Sequence, residues 1–203
     1  MSTFLIVLGV ILAIAAVVVV VLAFVRGRKP EKPSARQDPL KSGDMPVFGP
    51  KQLGPGAIVS YGGVDYVVRG SVTYHEGPFA WWEHLLEGGQ GEPIWFSVEE
   101  DEGRLELAFW AKRSDLALQP GGPHTVDGVQ YSEVERGTAR YTCEGTTGLP
   151  VQGEMYYVDY ASAGRSALLS FEQWAPNTPW EVSTGKIMSP GELTVYPAPP
   201  AGS

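Results

Sequence analysis

Hydrophobic and polar positions divide the chain into three textures. From Phe4 to Val25 every residue is apolar or small, with no charge and no proline. From Arg26 to Leu53 the apolar period disappears, and Pro30, Pro33, Pro46 and Pro50 fall among charged and small residues. From Gly54 to Tyr196 short β-branched and aromatic runs alternate with glycine-bearing breaks. These textures predict a single transmembrane helix over residues 1–25, a linker over 26–53, an all-β domain over 54–196 and a disordered tail over 197–203.

The first run is long enough to span a bilayer. At about 1.5 Å per residue, a helix of this length covers roughly 33 Å, against a hydrocarbon core of about 30 Å. Only Ser2 and Thr3 separate the starting Met from the run, and its end, Ala23-Phe24-Val25-Arg26, lacks a small-residue cleavage pattern. A permanent anchor is therefore expected rather than a signal peptide. Arg26, Arg28, Lys29 and Lys32 follow it and no side-chain charge precedes it. The positive-inside rule then predicts an N-terminus outside, a cytoplasmic C-terminal domain and a location in a bacterial inner membrane. The same four cations are candidates for contact with anionic headgroups.

In the third texture, Ala57–Tyr61 and Val64–Arg69 flank Gly62-Gly63, a two-residue hairpin signal. Ser71–His75, Phe79–Leu86, Pro93–Val98 and Arg104–Ala111 read as further strands, with Glu99–Gly103 as an acidic loop. Phe79–Leu86 carries apolar groups on both faces and also fits a short helix; its length and aromatic content favour strand.

The run from His124 repeats the plan. Gly63-Val64-Asp65-Tyr66 matches Gly128-Val129-Gln130-Tyr131, Arg69-Gly70 matches Arg136-Gly137, Trp95–Glu99 matches Leu168–Glu172, and Glu106 matches Glu181. Four matches in one order suggest an internal duplication. Either half alone is marginal in size, so residues 54–123 and 124–196 are expected to pack as one antiparallel unit, barrel-like or sandwich-like.

Charge then narrows the partners. Removing the juxtamembrane cluster leaves 11 basic and 22 acidic side chains in residues 33–203, a net charge of −11. Such a domain is repelled by phosphate backbones, and nucleic acid is excluded as a partner. Cys143 is the only cysteine, so no internal disulfide and no thiolate zinc site can form.

Motifs with a known mechanism fail at particular residues. His75-Glu76 begins like a zinc-binding helix, but its second ligand position is Phe79 and Pro78 would break the helix. Ser183-Thr184-Gly185-Lys186 lacks the opening glycine of a phosphate loop, where Trp180 stands, and Ile187 replaces the hydroxyl. No cofactor, no metal site and no catalytic set is expected.

The most unusual stretch is Phe79–Leu86. On a strand, Trp81 and Glu83 share one face, and Trp82 and His84 the other. The second half offers Tyr157 and Asp159 at the corresponding place, with Asp159 where Glu83 stands. Trp81, Trp82, Glu83, His84, Tyr157 and Asp159 are thus candidates for an aromatic cleft with an acid in each half, able to hold a peptide or small cation. The plainer expectation is an aromatic core whose acids pair with Arg69, Arg136 or Arg140; Glu106 and Glu181 carry the same two readings.

The ordered elements Gly63–Val68, Trp81–Leu86, Trp95–Glu99, Tyr157–Tyr160, Leu169–Glu172 and Ser183–Lys186 resemble a bacterial family, number 4178 in the domain-of-unknown-function series. The resemblance runs from about Gly54 to Val195 and implies an all-β domain, tethered to the membrane in some members. It implies a setting beside membrane-stress and polyamine-synthase-like genes, and it brings no catalytic residues. The expectation for function is a non-enzymatic module, tethered by residues 4–25, that recruits an unidentified membrane or cytoplasmic protein in envelope maintenance. The alternatives are a small-ligand receptor or enzyme using the cleft, and an outward-facing anchored domain.

Overall fold

The structure is a computed structural model and describes residues 50–198 apart from positions 90 and 102. The apolar run Phe4–Val25, the basic cluster after it and most of the linker lie outside the described residues. Among the described residues no helix is long and apolar enough to cross a membrane.

Among the described residues, eleven strands form one antiparallel sheet: β1 (Ile58–Tyr61), β2 (Val64–Glu76), β3 (Phe79–Glu87), β4 (Ile94–Asp101), β5 (Arg104–Lys112), β6 (His124–Val126), β7 (Val129–Gly145), β8 (Gln152–Ser162), β9 (Ala167–Gln173), β10 (Glu181–Met188) and β11 (Leu193–Tyr196). The order is β11-β1-β2-β3-β4-β5-β10-β9-β8-β7-β6, and β2 also pairs with β7. That second pairing, from Gly70↔Gly145 to His75↔Arg140, closes β2 to β5 and β7 to β10 into an eight-stranded antiparallel barrel. The all-β reading holds, and closure decides between barrel and sandwich.

Each half is a short hairpin followed by a meander. Gly62 and Gly63, with φ of 59° and 80°, turn β1 into β2; Asp127 and Gly128, with φ of 51° and 79°, turn β6 into β7. Both left-handed pairs suit a tight two-residue hairpin, where glycine or aspartate carries the positive φ at least cost. Phe79–Glu87 is a strand, because its residues pair on both sides with β2 and β4.

The reading of Val64–Arg69 and Ser71–His75 as separate strands is corrected. They form one strand, β2, with a bulge at Arg69: Val68 faces Leu86 and Gly70 faces Leu85. In β7 the same irregularity falls at Val134, between Glu133 opposite Tyr160 and Glu135 opposite Asp159. A one-residue bulge moves later side chains to the other face of the sheet. The first part of each long strand therefore belongs to an outer layer, and the rest lines the barrel.

The outer layer makes two separate cores. Val59 and Val68 cover Leu86, Phe96, Val98 and Leu107, with Leu53, Leu193 and Ala198 against their edge. Val126 and Tyr131 cover Val158, Tyr160, Leu169 and Phe171, with Leu116, Leu118 and Trp180 alongside. The barrel interior holds the third apolar group, in which Val72, Tyr74, Ala139, Tyr141, Met155 and Tyr157 gather with Trp81, Trp95 and Trp174. The acidic stretch expected as a loop instead extends β4 through Asp101, opposite Arg104.

Phe96 is fully buried in the first outer core. Phe96→Ala is expected to cost about 3–5 kcal/mol, the range for truncating a buried aromatic ring. Urea unfolding checks this, and a loss below about 1 kcal/mol would show that the hairpin does not pack there.

Candidate functional site

Alternation along the barrel strands brings a polar band inside. Glu83 on β3 stands beside Ser97 on β4; Asp159 on β8 stands beside Ser170 on β9; Glu172 on β9 stands between Tyr157 and Glu181. Two pairs of glutamates face each other across neighbouring strands, Glu99 with Glu106 and Glu172 with Glu181. Like charges directly opposite on a sheet are unfavourable. Lys112 Nζ lies 2.8 Å from Glu181, and Arg165 lies 3.7 Å from Glu106.

The band lines two cavities that share Glu83, Trp110 and Glu172. The smaller, about 250 Å³, lies towards the β7–β8 loop at Thr147–Leu149 and is walled by Trp95, Trp110 and Trp174. The larger, about 440 Å³, opens at the other end past Glu76, Phe79, Glu99 and Glu135, with Trp81, Met155, Tyr157 and Asp159 inside. The linings together carry nine carboxylates and two cations, so the field inside is negative.

Local rules explain why the walls form. Trp110 Nε1 donates to Ser97 Oγ at 2.9 Å, fixing the indole. Its ring lies over Gly185 on β10, where an added Cβ would sit 2.6 Å from Cε3. The glycine of Ser183-Thr184-Gly185-Lys186 thus makes room for an indole, which accounts for that stretch without any phosphate loop. Trp81 stacks on Tyr74 with ring centroids 5.1 Å apart and meets the edge of Tyr157 at 5.8 Å. Trp174 stands edge-on to Tyr141 at 5.4 Å, and its buried Nε1–H finds no acceptor among the described residues.

The acids lie well inside the protein yet keep accessible surface, because that surface faces the cavities. Glu83 accepts a hydrogen bond from Tyr74 Oη at 3.1 Å. Burial, reinforced by the charge of Asp159, holds its carboxyl well above the usual range despite that bond. Burial pushes Asp159 up to about 6, against the lowering effect of its Ser170 hydrogen bond. Glu172 is raised by burial, then by the charges of Glu83, Asp159 and Glu181, with Lys112 opposing weakly. Tyr157 donates to Glu76 and, at 3.4 Å, to Glu135; burial raises its phenol.

The structure separates the six candidate residues. Trp81, Glu83, Tyr157 and Asp159 meet inside the barrel. Trp82 and His84 lie on the opposite face: Trp82 packs on the first outer core, and His84, 2 % exposed, bonds Ser71 Oγ through Nδ1 at 2.8 Å. Burial lowers the His84 imidazole to about 4, so it is neutral. The expected arginine pairing of the interior acids is not found. Arg69 pairs with Glu87 and Arg136 with Glu133, both at the surface, and among the described residues no arginine contacts Glu83 or Asp159. Glu106 and Glu181 do have cationic partners, but these are Arg165 and Lys112 and not the arginines expected from sequence.

Sequence reasoning did not single out Glu172, Trp110 and Trp174 as site residues. The parity of their strands was the available signal: Leu168, Ser170 and Glu172 alternate along β9, and Trp174 continues that alternation one residue past its end. Among the described residues no three acid, histidine or cysteine side chains gather closely enough to share a metal ion.

These features define an eight-stranded antiparallel barrel whose interior is lined with carboxylates and aromatic rings. The chain belongs to the family described as a domain of unknown function (DUF4178), which matches residues 54–190. It is similar to uncharacterized proteins of Mycobacterium tuberculosis, strains H37Rv and CDC 1551, and of Mycobacterium bovis. Each is 63% identical over 207 aligned residues, spanning 100% of both chains. No solved structure matches it.

The raised acids make stability depend on pH. Between a carboxyl's unfolded and raised folded values the folded state binds more protons, so its stability is present at low pH and declines as pH rises. For Asp159 that window runs from the ordinary carboxylate range to about 6. Asp115 and Glu133, lowered by their arginine bonds, act in the opposite direction below it. Asp159→Asn is expected to lose less melting temperature than the wild type between about pH 4 and pH 7. Parallel profiles for the two proteins, measured by thermal denaturation, would show that Asp159 ionises like an exposed acid.

Proposed function

We propose that this domain is a small-ligand receptor and not an enzyme, with the barrel interior as its binding site. One observation carries the reading: Glu83, Asp159 and Glu172 line an aromatic-walled space inside the barrel, and among the described residues none of them has an arginine partner. A barrel that needed only stability would bury apolar side chains there, since unpaired interior carboxylates are costly. The larger cavity, about 440 Å³, falls within the usual range for small-molecule sites, and the smaller, about 250 Å³, lies just below it. The serine–histidine pair of Ser71 and His84 is sealed on the outer face, away from both cavities, and so offers no activated hydroxyl to a ligand held there.

The full chain in lipid nanodiscs, screened with a fragment library by ligand-observed NMR, tests the reading. Several fragments are expected to bind with Kd below about 1 mM and to compete with one another. A screen in which none binds would contradict it.

The apolar run and the four cations after it support a membrane tether with the receptor on the cytoplasmic face. Protease added to spheroplasts should then leave residues 50–198 intact, and their digestion would reverse the orientation. A second reading, a docking module for a membrane or cytoplasmic protein, is favoured by Phe79 and Val134. These are 68% and 47% exposed and line the wider mouth. Site-specific photocrosslinking from position 79 in intact cells should then give one discrete adduct, and a featureless smear would remove that reading.

A further inference from the structure

The smaller cavity has a chemistry more particular than that of a general receptor site. Its walls are three indoles, of Trp95, Trp110 and Trp174, and its acids are Glu83, Glu172 and Glu181. One alkylammonium already sits at its edge, because Lys112 Nζ pairs with Glu181 at 2.8 Å. Glu83 and Glu172 have no such partner: Glu83 accepts one phenolic hydrogen bond, and no hydrogen bond or ion pair reaches Glu172 among the described residues. Indole faces attract cations, most strongly where water is excluded. A metal ion does not fit, since no three ligating side chains converge among the described residues. An anion would meet the carboxylates of Glu83, Glu172 and Glu181 in the lining, and a neutral molecule would supply no charge to balance Glu83 and Glu172 when they ionise.

From this geometry we infer that the smaller cavity binds a small organic ammonium ion, its charged nitrogen between Glu83 and Glu172 and its carbon frame against the indoles of Trp95, Trp110 and Trp174. The inference rests on the receptor reading and supplies its ligand class. Without ligand, burial makes Glu83 and Glu172 hold their protons to higher pH than exposed acids do. The ammonium replaces those protons on binding, so its uptake releases protons to solvent and strengthens as pH rises. The groups facing the site include Tyr74 from β2, Lys112 from β5, Asp159 from β8 and Glu181 from β10, with Glu83 on β3 and Glu172 on β9. Only Lys112 among them competes with the incoming cation for a carboxylate.

Three probes with one carbon frame separate the possibilities: benzylammonium, benzyl alcohol and benzoate, titrated into the full chain in nanodiscs at about pH 8 by tryptophan fluorescence and calorimetry. Benzylammonium is expected to bind about tenfold or more tighter than benzyl alcohol, and benzoate not at all. Glu83→Gln/Glu172→Gln should bring the amine to within about threefold of the alcohol. Should that variant fail to fold, the wild type serves alone. Amine affinity should rise about tenfold between pH 5.5 and pH 8 while alcohol affinity stays level. Equal affinities for amine and alcohol, or a level amine profile, would overturn the ammonium assignment and leave the receptor reading standing. Failure of all three probes would overturn the assignment, and silence in the fragment screen as well would remove the receptor itself.

Discussion

One extra residue in each of two long strands decides what this barrel contains. At Arg69 in β2 and Val134 in β7 the register slips by one, and every later side chain in the strand changes face. Before the slip, Val68 and Tyr131 look into the outer cores; after it, Val72, Tyr74, Ala139 and Tyr141 look into the barrel. Without the bulges, the start of each strand could not fold over the outside while its remainder closes the ring through β2–β7 pairing.

The bulges also resolve a conflict between stability and function. Apolar faces that would fill an ordinary barrel are turned outward, where the β1–β2 and β6–β7 hairpins cover them. Hydrophobic burial, the main favourable term in folding, is thereby placed mostly outside the ring. The interior is then free to hold facing glutamates and indoles that contribute little or negatively to stability. Arrangements that break a local rule in this way are expected where a site is built. The two glutamate pairs stand at the corresponding hairpins β4–β5 and β9–β10, so both halves of the chain contribute the same device.

Much of the strand pattern was legible in the sequence because aromatic and β-branched runs with glycine turns have few other solutions. The face of each side chain was legible too: Trp81 with Glu83, and Trp82 with His84. Which face was the inside was not. Alternation reports two surfaces, and the usual rule puts the apolar one inside; here that rule points to Trp82, Leu86, Phe96 and Phe171, which lie on the outer faces. The bulges themselves left only a break at Arg69-Gly70, read as the end of a strand. Pairing partners were equally hidden, since Lys112 and Glu181 lie far apart in sequence and meet only when β5 joins β10.

The six tryptophans offer the most direct test of the central claim, because they divide by face. Trp81, Trp95, Trp110 and Trp174 line the cavities, whereas Trp82 and Trp180 pack on the outer cores. Indole N–H resonances of the full chain, followed by two-dimensional NMR during titration with benzylammonium, report on all six at once. The account predicts saturable shifts for Trp95, Trp110 and Trp174 with Trp82 and Trp180 unmoved. Shifts confined to Trp82 and Trp180, or none at any indole, would contradict it.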